Sequence, residues 1–207
     1  MDERLLRHDV IVFDVGNVLV EFDPKRIAAG FGFSDALYRG VFESGLWFWM
    51  DTGLLTVGKL ARMMCDAAHT DSPEDYLQVC ELLEHFDRYE RLYSGSLLLP
   101  ELKRAGKKLY YLTNYGTPMF ERTMKHFPIF DYFDGGVVSG RENILKPMPR
   151  IFELLCERYG FRPQDALFVD DNADNVAAAA KLGFDVWKFE GKAIEDMTND
   201  NDRKDGD

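Results

Sequence analysis

From Ser96 onward the chain alternates helical patterns with short apolar runs, and this alternation restricts it to one class of architecture. Strands are expected at 109–113, 136–139, 166–170 and 184–189. Between them helices end near Gly106 and run over 118–125, 149–159 and 173–182. Strands joined through helices make right-handed crossovers, hence a parallel sheet covered on both faces. Gly106, Gly160 and Gly183 stand just past three of these helices, where a left-handed stop is wanted. An earlier apolar run, Val10-Ile11-Val12-Phe13, supplies one more strand. The expected fold is α/β, a Rossmann-like doubly wound parallel sheet.

Between residues 21 and 92 the alternation stops and only helical signals remain. Asp23-Pro24 and Ser72-Pro73 each place a capping side chain before a proline at the first helical position. Tyr76, Val79, Cys80 and Leu83 recur at helical spacing and give one apolar face. The reading is an α-helical insertion at 21–92 that divides a discontinuous core, 1–20 and 93–190. Residues 191–207 are read as an acidic, solvated tail, because from Asp196 on there is almost nothing to bury.

The polar residues that follow the apolar runs are the chemical signal. Val10–Phe13 runs into Asp14, the run at 166–169 into Asp170-Asp171, the run at 109–112 into Thr113-Asn114, and Leu145 precedes Lys146. Ligands of open α/β sheets bind at the carboxyl ends of strands, and a carboxylate there is desolvated unless positive charge meets it. Each residue alone has an ordinary alternative: the acids as turn or cap residues, Thr113-Asn114 as a turn, Lys146 as a surface lysine.

Taken in order, Asp14-Val15-Gly16-Asn17-Val18, Leu112-Thr113-Asn114, Lys146-Pro147 and Val169-Asp170-Asp171-Asn172 resemble the four motifs of the haloacid dehalogenase-like hydrolase superfamily. The opening motif with Asp170-Asp171-Asn172-Ala173-Asp174-Asn175 downstream is similar to the sugar-1-phosphatase branch, near the phosphatase domain of soluble epoxide hydrolases. The resemblance implies a helical cap, the 21–92 insertion, over the sheet's carboxyl edge. It further implies a Mg²⁺-dependent phosphomonoester hydrolase working through an aspartyl-phosphate on a small phosphorylated metabolite, a hexose-1-phosphate being favoured. Asp14 would be the nucleophile and Lys146 its catalytic partner. Thr113, Asn114 and Lys146 would bind phosphate, and Asp14, Gly16, Asp171 and Asp170 would serve the metal, with Asp174 and Asn175 either behind them or facing solvent.

Gly16 departs from the superfamily's usual pattern, in which a second aspartate two residues after the nucleophile handles the leaving-group proton. A weakly basic leaving group, a cap residue or water near Asn17, or loss of activity would each account for it. It also keeps open a 2-haloacid dehalogenase, whose halide leaves without a proton, and a catalytically weak regulatory or binding protein. Against the dehalogenase, Asp170-Asp171 would lack a balancing cation.

A formal net charge of −11 argues against nucleic acid or an anionic membrane surface as partner. No apolar stretch approaches the roughly 20 residues of a membrane span, and the start Met1-Asp2-Glu3-Arg4 has no signal-peptide layout, so a cytoplasmic monomer or weak dimer is expected. Cys65, Cys80 and Cys156 show no metal spacing and read as reduced thiols; His8, His69, His85 and His126 read as structural or surface residues. Trp47-Phe48-Trp49 is a candidate specificity surface, with at least two of the three rings expected in the core of the insertion or its contact with the sheet domain.

Overall fold

The computed structural model describes residues 3–196. Five strands, β1 (Val10–Phe13), β2 (Lys108–Thr113), β3 (Gly135–Val138), β4 (Ala166–Asp170) and β5 (Asp185–Lys188), form one parallel sheet in the order β3-β2-β1-β4-β5. From β1 the chain builds outward through β2 and β3 on one side, then returns to build β4 and β5 on the other. The junction of β1 and β4 is therefore the topological switch point, where adjacent crossovers diverge and leave a crevice. The register sets Phe13 opposite both Tyr111 and Val169, and the Asp14 N–H donates to the Val169 carbonyl at 2.8 Å. Asp14 and Asp170 thus leave the sheet side by side.

Strand periodicity sorts the side chains between two cores. Ile11 and Phe13 face one cluster with Leu109, Tyr111, Leu167 and Val169, which continues into insertion residues such as Val79 and Leu83. Val12, Tyr110, Leu112 and Phe168 face the other, with Ile151, Phe152 and Leu155 of the helix Pro149–Tyr159 and Ala179 of the helix Ala173–Lys181. Phe13, Phe152 and Phe168 are fully buried, each contributing on the order of 1.5–3 kcal/mol of transfer free energy. Gly106, Gly160 and Gly183 take positive φ of 76°, 70° and 97°, as their positions after helices require.

Every element between Pro24 and Tyr89 is helical. The capping signals act as read: the Asp23 carboxylate accepts from the N–H groups of Lys25 and Arg26, and the Ser72 hydroxyl from that of Asp75. Two expectations need correction. The segment at 191–196 is packed rather than a solvated tail: Ala193 is buried and bridges Tyr93, and Arg91 spans Glu21 on one side and Glu195 and Asp196 on the other. The remainder of the acidic segment, 197–207, lies outside the described residues. The second concerns Trp47-Phe48-Trp49. Trp47 alone packs among core rings, against Phe22, Phe42 and Phe86, whereas Phe48 and Trp49 are 53% and 37% exposed. All three lie on the helix Trp47–Thr52, and consecutive helical residues point about 100° apart, so the face that carries Trp47 continues at Met50 and Asp51.

Candidate functional site

The carboxyl ends of β1, β2 and β4 and the segment before the helix Pro149–Tyr159 converge on one cavity of about 230 Å³. Asp14, Gly16, Thr113, Asn114, Lys146 and Asp171 all line it. At its base, Lys146 is 4% exposed and its Nζ lies 2.7 Å from both Asp14 Oδ1 and Asp170 Oδ2. Burial by itself would lower the pKa of this ammonium; the two carboxylates more than offset that and hold it above the ordinary lysine value. Asp14 Oδ1 also accepts from the Val15 N–H at 2.7 Å.

Acids outnumber bases here. Carboxylate oxygens of Asp14, Asp170 and Asp171 lie within 4.8 Å of one another, three carboxylates against one ammonium. Burial raises the pKa of Asp14, with Lys146 pulling it down and Asp170 pushing it further up. Asp171 is raised for the same first reason, burial, with Asp170 adding to it. Such a cluster of hard oxygen donors carrying excess negative charge suits a small divalent cation.

Two of the expected site residues have side chains committed elsewhere. Asn114 does not turn its amide to the cavity as a phosphate donor: Nδ2 donates to the Lys146 carbonyl at 3.0 Å, and Oδ1 accepts from the Lys146 N–H at 2.8 Å. This double bond between loops fixes the backbone that carries the lysine. Asp170, read with the metal ligands, is wholly buried; its oxygens accept from Lys146, from the Asn172 N–H at 2.8 Å and from Asn175 Nδ2 at 3.1 and 3.2 Å. Asp170 belongs to the acidic cluster but is spent on holding Lys146. Asn175 is itself buried, so it stands behind the acids, while Asp174 faces solvent.

Sequence reasoning missed three acids of this cavity, Glu21, Asp51 and Glu90, of which Glu21 is held in ion pairs by Arg26 and Arg91. Asp51 lines it from the insertion, four residues after Trp47, and burial pushes its carboxyl up to about 7 with Lys146 pulling the other way. The helical spacing from Trp47 was the available signal. Glu90, 7% exposed, accepts from the hydroxyls of Tyr115 and Thr123, the latter at 2.9 Å. Its pKa is about 7 because burial outweighs those hydroxyls. None of the four histidines lines the cavity; His8 pairs with Asp185 at 2.9 Å.

Glu90 yields a stability test. With its folded pKa raised from 4.5 to about 7, its contribution is fully present below about 4.5 and is lost as pH rises through about 7. Glu90→Gln removes that loss. In urea titrations the variant should gain on the wild type between pH 5 and pH 8, by on the order of 3 kcal/mol; an unchanged difference between the two pH values would show that Glu90 ionises freely.

A family model described as a haloacid dehalogenase-like hydrolase matches residues 8–183. D-ribitol-5-phosphate phosphatase of Bacteroides thetaiotaomicron is 25% identical over 198 residues, 88% of this chain and 92% of that protein. (S)-2-haloacid dehalogenase 4A of Burkholderia cepacia is 32% identical over 91 residues, 44% of this chain and 39% of that one. The chain spans less than half the length of several curated relatives it matches. Among solved structures, a HAD family enzyme of Bacteroides thetaiotaomicron in complex with magnesium and inorganic phosphate superposes with a TM-score of 0.70 at 21% identity, over 87% of this chain and 93% of that one. At that identity the likeness concerns the fold.

Proposed function

Because the chain belongs to the haloacid dehalogenase-like hydrolase family, matched over most of its length, we propose that it is a Mg²⁺-dependent phosphomonoester hydrolase acting on a small phosphorylated metabolite through a phosphorylated Asp14. The observation that carries this reading is the single buried lysine shared by Asp14 and Asp170 beside a third acid, Asp171. A haloacid dehalogenase needs a nucleophilic carboxylate, but the further acids put excess negative charge at the buried site, which a bound divalent cation would balance. Gly16 and the Burkholderia relative favour the dehalogenase as the second reading.

A carboxylate oxygen of Asp14 attacks phosphorus, the bond to the leaving oxygen breaks, and an acyl phosphate results; water then attacks the phosphorus and releases inorganic phosphate with Asp14 regenerated. Asp14, Asp171 and the Gly16 carbonyl would hold Mg²⁺, which when bound supplies charge neutralisation between the nucleophile and the phosphate dianion. Lys146 stabilises the charge that spreads over the transferring group, in a buried site where such an interaction exceeds its value in water. Thr113 and the backbone at Asn114 stand at the strand end where the phosphate oxygens would be held.

The helices of 21–92 serve as the cap, with the core of 1–20 and 93–190 holding the phosphate. Trp47, Met50 and Asp51 present a mixed apolar and acidic wall to the leaving group. A cavity of about 230 Å³ sits below the usual range of ligand pockets, about 300–1,000 Å³, and favours a compact sugar or polyol phosphate. The test is phosphate release from a panel of phosphomonoesters, hexose-1-phosphates and pentitol phosphates included, with Mg²⁺ or EDTA. Turnover of a sugar phosphate should fall at least about 100-fold on chelation. Halide release from 2-haloacids, indifferent to EDTA, would replace this reading by the dehalogenase.

A further inference from the structure

With glycine at position 16, an ordinary alcohol must take its proton from another group as it leaves, and the cavity holds few groups able to supply one. Among the described acids and bases that line it, Asp14 and Asp171 are taken by the chemistry already assigned, and Lys146 is held as an ammonium by two carboxylates. Glu90 is tied to Tyr115 and Thr123, and Glu21 to Arg26 and Arg91. Asp51 is left: among the described residues its carboxylate makes no hydrogen bond or ion pair, yet it lines the same cavity as Asp14.

We propose that Asp51 replaces the missing acid, protonating the leaving oxygen as Asp14 takes the phosphoryl group and then, as a carboxylate, deprotonating the water that cleaves the acyl phosphate. The proposal rests on the phosphatase reading above. The step balances: the P–O bond to the leaving group breaks, its electron pair takes the Asp51 proton, and an alcohol departs. Water then gives one proton back to Asp51 while its oxygen bonds to phosphorus and the P–O bond to Asp14 breaks.

Asp51 sits on the insertion, but its position is fixed by the core. Its carbonyl accepts from Ser139 Oγ at 2.6 Å, and the carbonyl of Thr52 accepts from Asn143 Nδ2 at 2.8 Å. Gly53, at φ 67°, ends the helix so close to Gly140 that a Cβ on it would lie 2.6 Å from the Gly140 carbonyl oxygen. The segment just after β3 therefore grips the turn that presents the acid. Lys146 and Tyr115 are the titratable groups that feel Asp51 most directly. On the neighbouring helices Arg141 pairs with Glu121, Glu142 with Arg158, and Arg62 lies over the ring of Tyr76. Trp47 and Met50 wall the acid on its own helix, and burial, opposed by Lys146, raises its carboxyl to about 7, in the range that suits a general acid.

The test compares two leaving groups in Asp51→Asn, an isosteric change. On an alkyl phosphate, whose alcohol needs the proton, kcat/KM should fall about 100-fold or more; on p-nitrophenyl phosphate, whose phenolate leaves unaided, it should fall less than about tenfold. Adding Gly16→Asp to this variant should recover at least about tenfold on the alkyl phosphate, since a Cβ at Gly16 meets nothing within 4 Å. An equal fall on both substrates, no fall on the alkyl phosphate, or no recovery on adding the acid at 16 overturns the proposal and leaves the phosphatase reading standing. A wild type that releases phosphate from no ester, the sugar and polyol phosphates of the panel included, overturns both.

Discussion

Asp14→Asn should abolish turnover, lowering kcat by at least about 10⁴-fold, while the folded protein becomes no less stable. An amide oxygen is a weak nucleophile and cannot form the acyl phosphate, so the loss is chemical and not structural. The stability half follows from the titration of the site. Burial raises the pKa of Asp14 in the folded state, so its ionisation opposes folding: the stability it contributes is present below the unfolded pKa of about 3.9 and is lost as pH rises through the higher folded value. Asparagine carries no such cost, and its oxygen can still accept from Lys146 and from the Val15 N–H, the partners of Asp14 Oδ1. Thermal melts of both proteins at pH 8 and a phosphate-release assay check the two halves separately. Residual turnover within tenfold of wild type would remove Asp14 as the nucleophile, and a large drop in melting temperature would mean that the carboxylate is structural. Acid-quenched wild type incubated with radiolabelled substrate should retain protein-bound phosphate, and the variant should not.

The same trade between stability and chemistry explains which parts of the site could be read from the chain alone. Asp14, Lys146 and Asp171 stand just past apolar runs or beside one, and a parallel sheet delivers strand ends to one edge whatever the details of packing. The alternation of helix and strand after Ser96 was legible for the same reason, since it is a local pattern. Asn114 and Asp170 were legible as site residues but not in their tasks. Only the distance between two loops decides that the Asn114 amide is spent on the Lys146 backbone, and only the buried Asn175 and Lys146 decide that Asp170 is an anchor. Asp51 was hidden further still. Its helix lies about 90 residues from the segment that holds it, and nothing in a local pattern links Asp51 to Ser139 or Thr52 to Asn143. The ring triplet beside it drew attention to the wrong residues, because the aromatic signal marked Phe48 and Trp49, which face outward, while the helical period carried the cavity face to Met50 and Asp51.

Lys146→Met is expected to have the second largest effect, and it should strike stability and activity together. Removing the ammonium leaves Asp14 and Asp170 buried with no counter-charge, a change that typically costs about 3–5 kcal/mol, a large fraction of the total for a domain of this size. Loss of the charge that stabilises the transferring phosphoryl group should lower kcat by about 10²–10³-fold on top of any loss of folded protein. The two effects separate with pH. Asp14 already has a raised pKa with the lysine in place, and without it the carboxyl shifts further up. The variant should therefore regain stability relative to wild type as pH falls from 8 to 5, where the acid takes up its proton. Adding Asp170→Asn should recover much of the lost stability but none of the lost rate, because it removes one unpaired charge without restoring a cation at the phosphate. Urea unfolding of the wild type and of the single and double variants at both pH values gives the comparison needed. If the single variant unfolds like wild type at pH 8, the carboxylates are not desolvated as the burial of this site requires; if the double variant is no more stable than the single, the loss comes from the ammonium's contact with the Phe168 ring, whose centroid lies 5.7 Å from Nζ, and not from the unpaired carboxylates.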